Sequence, residues 1–74
     1  GGIMIKSRLK ILMAERDINS LVELERQLKI KKLNISRTTL DRLYHSRNID
    51  KTYLETTIKL LIFFNCEIKD LFSY

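Results

Sequence analysis

The sequence predicts an all-α fold of five short helices in one compact domain, and three observations carry that prediction. Apolar residues recur at spacings of three and four along most of the chain, the period of a helix that buries one face. Proline is absent and no glycine follows Gly2, so the tight hairpin turns of a β fold lack the residue they most often need. Serine- and threonine-led capping patterns recur at intervals suited to short helices. At 74 residues the chain is expected to form a single domain, close to the lower limit for folding on one hydrophobic core. The domain is expected to span residues 4–74, with residues 1–3 an expression remnant and Met4 the native start.

The first helix is predicted from Ile5 to about Asp17, with Ile5, Leu9, Leu12 and Met13 on its apolar stripe and Ile11 off it. Asn19-Ser20 breaks the pattern. Ser20-Leu-Val-Glu23 fits a capping box, in which Ser20 accepts from the Glu23 N–H and the Glu23 carboxylate reaches back. The second helix then presents Leu21, Leu24 and Leu28 inward. Nothing in Lys29-Ile-Lys-Lys-Leu-Asn34 is an outright helix breaker, and Asn34 is the residue best suited to a left-handed closing position. Leu33 and Ile35 anchor the connection.

The third helix is predicted from Ser36, its N-cap, to about His45, with Leu40 and Leu43 on one side. Asn48 is the turning residue of the loop after it. Thr52-Tyr-Leu-Glu55 reads as a second capping box, opening a fourth helix through Phe64 with Leu54, Ile58, Leu61 and Phe64 as its core stripe. Asn65 closes that helix. Glu67 to Tyr74 supplies a last turn or two, folding Ile68, Leu71 and Phe72 onto the core.

Several function classes fall away on composition. No apolar run approaches the ~20 residues of a membrane span, and the N-terminal residues lack the pattern of a secretory leader. Cys66 is the sole cysteine, which excludes an internal disulfide and a cysteine zinc site; a cytoplasmic location is expected. His45 is the sole histidine and has no ligand partner at metal-binding spacing, so neither metal nor cofactor is expected. Asp50, Glu55, Glu67 and Asp70 read as helix-start residues rather than a catalytic pair, and no nucleophile–base pattern or phosphate-cradling glycine loop is present. The chain reads as a non-enzyme. A net charge of +5 favours an anionic partner.

The third helix gives that partner a form. Arg37, Thr38, Thr39, Asp41 and Arg42 occupy the side away from Leu40 and Leu43. Arginines and threonines on a helical face suit the donor and acceptor edges of a DNA major groove; the same face also suits simple exposure to solvent, with Asp41 or Glu25 as a weak salt-bridge partner of Arg37 or Arg42. Thr38 and Thr39 offer hydroxyls and methyls to phosphate or thymine. Arg37 and Arg42 lie about 140° apart around the axis, placed to flank a groove. Lys29, Lys31 and Lys32 could pair with phosphates, adding affinity without sequence information.

Two capped helices, a connection and an arginine-bearing helix make the order of a helix-turn-helix. Ile5-Lys-Ser-Arg-Leu-Lys10, Leu12-Met-Ala-Glu-Arg16, Asn19-Ser20 with Glu23-Leu24, and above all Ile35-Ser-Arg-Thr-Thr-Leu-Asp-Arg-Leu-Tyr44 carry a closer likeness. Phe64-Asn-Cys-Glu67 and Asp70-Leu-Phe72 extend it. On these residues the chain resembles the lambda-repressor-like, Cro-type (XRE-type) helix-turn-helix family, particularly its small stand-alone members. That resemblance implies a small transcriptional regulator, repressor-like, from bacteria, phage or a mobile element. It implies base contacts from Arg37, Thr38 and Arg42, and phosphate contacts from Ser36, Ser20, His45, Ser46 and Arg47. It also implies a palindromic operator met as a two-fold dimer. Ile62 and Phe63, with Ile11, are the apolar residues left over from the predicted core stripes, and are the expected site of weak self-association.

Three departures from the family pattern stand out. The connection between the second and third helices is several residues longer. Glu25 stands where a small alanine is usual, and Leu21 where a polar phosphate clamp is common. A rival reading follows from the first: a protein-interaction module on the same fold, antirepressor- or antitoxin-like, in which DNA binding is absent or secondary. A second rival is a structural nucleic-acid binder without sequence preference.

Overall fold

Four helices of this chain close on a left-handed residue, and none of the four is glycine: Asp17, Lys32, Ser46 and Asn65 have φ between 51° and 60°. The computed structural model describes residues 5–73; the expected start at Met4 and the terminal Tyr74 lie outside the described residues. In order the elements are β1 (Lys6–Ser7), α1 (Leu9–Glu15), α2 (Leu21–Ile30), α3 (Arg37–Tyr44), a 3₁₀ turn (Ile49–Lys51), α4 (Leu54–Phe64), α5 (Ile68–Leu71) and β2 (Phe72–Ser73). The fold is the predicted five-helix one.

Each left-handed closure follows one physical pattern. After α2, the N–H of Lys32 bonds to the carbonyl of Lys29 and the N–H of Leu33 to that of Leu28, at 3.0 and 2.8 Å. Paired bonds of this kind satisfy carbonyls that the helix end leaves free, and after α1, α2 and α4 an apolar residue just beyond folds over the last turn; after α3 that place is taken by Arg47. Ile18 does this for α1, its N–H bonding to Met13 O at 2.9 Å. Asn65 and Cys66 close α4 the same way, onto Ile62 and Leu61. Asn65 and Asn48 are therefore turning residues as predicted. Asn34 is not. Lys32 takes the closing position, with Leu33, the residue right after it, as the apolar one bonded back to Leu28.

The helix starts are partly as expected. Ser20 Oγ accepts from the Glu23 N–H at 3.1 Å, but the Glu23 carboxylate turns forward to Arg26 and Gln27 rather than back to Ser20. Ser36 Oγ caps α3 by accepting from the Thr39 N–H at 3.2 Å. The capping box at Thr52 does not form: Tyr53 is the N-cap of α4, and Thr52 Oγ1 is buried without a partner. The first helix is also shorter than its apolar stripe. Ile5 is exposed and precedes β1, whose Lys6 and Ser7 pair antiparallel with Ser73 and Phe72 of β2. Ser7 Oγ then accepts from the Leu9 N–H at 3.1 Å and starts α1.

Leu9, Leu24, Leu28, Leu40, Leu43, Leu60 and Leu71 are fully buried at the centre of one apolar cluster. Leu24 and Leu28 meet Leu40 and Leu43 there, which seats α3 on α2. Burying one such leucine stabilises the fold by roughly 1.5–3 kcal/mol. On α4 the core face is turned from the predicted one. Thr57, Leu60, Phe63 and Phe64 are buried, whereas Leu54 and Ile58 are exposed. Phe63 is 4% exposed and meets Phe64 edge to face; it is a core residue and is not available for self-association. Cys66 packs against the same cluster, and burial pushes its thiol pKa up.

Candidate nucleic-acid interface

The polar face of α3 is presented by its apolar one. Leu40 and Leu43 point into the core, so Arg37, Thr38, Asp41 and Arg42 are left on the outer side of a helix that α2 supports from behind. Ser36 sets the entry of this helix. Its hydroxyl accepts from the Thr39 N–H and lies 2.9 Å from Thr39 Oγ1. Ser36 is the donor of that pair, which leaves the Thr39 proton for a partner.

Arg37 and Thr38 are exposed at the start of the helix. The Arg37 guanidinium is engaged from α2: Nε and Nη2 both donate to Glu25 Oε1, at 3.3 and 3.1 Å. The glutamate that departs from the usual small residue is therefore the partner of the first helical arginine. Arg42, half-buried one and a half turns on, donates from Nη1 to the Asn48 carbonyl at 3.0 Å. Asp41 lies between them, with His45 Nε2 and Arg47 Nη2 each 3.4 Å from a carboxylate oxygen. Neither Asp41 nor Glu25 was singled out by sequence as a site residue. For Asp41 a signal was present, since His45 stands one helical turn on; Glu25 meets Arg37 only across the two helices, twelve residues apart in sequence.

The extra length of the connection between α2 and α3 is divided between helix and loop. The helix runs on to Ile30, and the remainder is a loop pinned by Ile35 in the core. Lys59 of α4 also holds it, donating to the Asn34 carbonyl at 2.8 Å. Lys31 and Lys32 project from this loop, exposed, with no ion pair among the described residues. Ser20 stands at the start of α2, its Oγ committed as acceptor but its proton free. Ser46 is half-buried and accepts from the Ser7 N–H at 3.0 Å, joining the strand ladder to the loop after α3.

These elements carry the sequence relationships of a known domain across almost all of their length. A family model for the Cro/C1-type HTH DNA-binding domain matches residues 8–74. The chain belongs to that family. DNA is thus the partner class of this Cro/C1-type domain, and α2 with α3 is its helix-turn-helix. Among curated proteins and among solved structures, nothing matches the chain.

Ile11 and Ile62 are exposed, at 47% and 61%, as the self-association expectation requires, although Phe63 is not. Leu54 and Ile58 extend Ile62 into a row along α4 at four-residue spacing. On the other side of α4 a groove of about 420 Å³ is lined by Ile5, Ile49, Thr57, Ile68 and Phe72. No helix among the described residues is long and apolar enough to cross a membrane.

Proposed function

We propose that this Cro/C1-type domain is a small transcriptional regulator of the repressor kind, which occupies a duplex operator and thereby blocks polymerase. The observation that carries the reading is the outward row Arg37, Thr38 and Arg42 on a helix backed by Leu40 and Leu43. With α3 in the major groove, Arg37 and Thr38 read base edges near the helix start and Arg42 reads one further along. Thr39, Ser20, Ser46, His45 and Arg47 donate to phosphates, with Ser36 holding Thr39 in place. Lys31 and Lys32 add phosphate contacts from the connection. A palindromic operator would be met by two copies, associating weakly through Ile62 on α4 with Ile11 at the margin. No cofactor or small-molecule substrate takes part.

Selection of bound sites from random duplex DNA tests this directly. A recurrent sequence, bound with steep salt dependence, is the expected result, because phosphate contacts release counterions. Salt dependence without sequence preference would make the chain a structural nucleic-acid binder. Negligible duplex affinity at low salt would overturn the reading in favour of a protein-interaction role.

A further inference from the structure

The Arg37–Glu25 pair leaves the arginine with one edge to offer. A guanidinium has two edges from which paired N–H groups point in parallel: Nε with Nη2, and Nη1 with Nη2. Glu25 Oε1 takes both donors of the first edge. The second edge, at the tip, remains open, and the side chains of the pair are 50% and 30% exposed, so the tip is accessible from solvent while its root is held. Arg37 is the first residue of α3 and Glu25 lies in the middle of α2, so the pair spans the two helices of the helix-turn-helix.

We propose that Glu25 is a positioning residue that fixes Arg37 for tip-on reading of a single guanine. This rests on the reading of Arg37 as a base contact. The two tip donors match the O6 and N7 acceptors of guanine in the major groove, a pattern that no other base presents there. A free arginine on an exposed helix start would divide its time between that base and neighbouring phosphates. Held at its root by a carboxylate, it cannot swing its Nε edge to a phosphate without breaking two hydrogen bonds. Glu25 also adds a negative charge beside the groove, which weakens binding to all duplexes alike. Its effect is thus to exchange general affinity for discrimination at one base pair.

The test compares wild type, Arg37→Ala, Glu25→Gln and Glu25→Ala by site selection from random duplexes, then by titration against duplexes altered at one pair. Wild type should select guanine at one position of each half-site, and Arg37→Ala should lose that preference. Both Glu25 variants should lose at least about fivefold of discrimination at that same pair, with other positions unchanged. They should bind non-specific duplex more tightly, with a steeper salt slope. An unchanged site in Arg37→Ala would overturn the base-reading assignment and this proposal together. If Arg37→Ala loses the preference but both Glu25 variants keep it, only the positioning role falls. Loss of preference at every position in the Glu25 variants would mark a purely structural contact, and a selected base other than guanine would refute tip-on reading. Glu25→Gln preserves the side-chain shape, so the comparison survives if Glu25→Ala fails to fold.

Discussion

Arg42 of α3 donates from Nη1 to the carbonyl of Asn48 at 3.0 Å, across a loop whose Asn48 is itself left-handed at φ 48°. One arginine thus ties the last turn of the helix to the loop leading toward α4. Its other N–H groups remain for a partner. Beside it, Asp41 gathers His45 and Arg47, so the outer side of the end of α3 is organised by side chains of the helix and its own loop.

Arg42→Ala should therefore act in two places. Specific binding should weaken by about 1–3 kcal/mol, with preference relaxed at one base pair. Amide exchange in residues 45–48 should quicken even without DNA, because the loop loses its tie to the helix. Unchanged binding with faster exchange would restrict Arg42 to the structural role.

Lys31 and Lys32 should show a different signature. Replacing both with alanine is expected to weaken binding to every duplex alike and to lower the salt slope by roughly one to two. A loss confined to the preferred sequence would instead mean that the connection sets the docking angle of α3.

The left-handed closures carry a stability prediction. A residue with a Cβ in this conformation is strained by roughly 1–2 kcal/mol relative to glycine, offset in part by the extra freedom glycine gives the unfolded chain. Lys32→Gly should thus raise stability by about 0.5 kcal/mol or more in chemical denaturation. A drop in stability would show that the lysine side chain contributes something the backbone argument omits.

How far the sequence could be read follows from the same local physics. α3 was legible to within a residue because Ser36 supplies a cap and only Leu40 and Leu43 can be its inner face. α4 was legible as a helix but not in its orientation. Leu60-Leu-Ile-Phe-Phe64 is apolar on all sides, so periodicity alone did not choose between the predicted stripe and the observed one of Thr57, Leu60, Phe63 and Phe64. The packing against α5 and the central apolar cluster decided it. Pairing of Lys6–Ser7 with Phe72–Ser73 joins the two ends of the chain through two residues each, too short for any alternation to register. Glu25 was visible as a departure from a small residue and as a candidate partner of Arg37 or Arg42; that it takes Arg37 by two donors needed the structure.

Acid titration should find one carboxylate that resists protonation. The Glu23 pKa is lowered from near 4.5 to about 2, first by hydrogen bonds from Arg26 and then by one from Gln27. A carboxyl depressed in the folded state contributes stability that is present above its ordinary value and is lost as pH falls toward the folded one. The window for Glu23 is therefore between about 4.5 and about 2. Carboxyl chemical shifts should place its midpoint near the lower bound, and Arg26→Ala should raise it. Because the pair is exposed, its effect on global unfolding should be small. A midpoint unmoved by Arg26→Ala would assign the shift to another cause.

The final prediction separates core from contact surface on α4. Phe63 is buried, so Phe63→Glu should unfold the domain, since it removes a core aromatic ring and puts an ionisable carboxyl into the apolar cluster. Ile62 points outward in line with Ile58 and Leu54, and Ile62→Glu should leave the fold intact. If two copies meet through this row on a palindrome, Ile62→Glu should abolish cooperative binding while sparing a single half-site. The expected difference follows from symmetry: a two-fold contact places the row of one copy against that of the other, so one substitution sets two carboxylates into the same apolar seam. Sedimentation of wild type and Ile62→Glu, each alone and on palindromic duplex, provides the measurement. Cooperative binding that survives Ile62→Glu would move the contact to another surface, with Ile11 the next exposed apolar residue to test. Wild-type binding to a palindrome without cooperativity would refute the dimer itself.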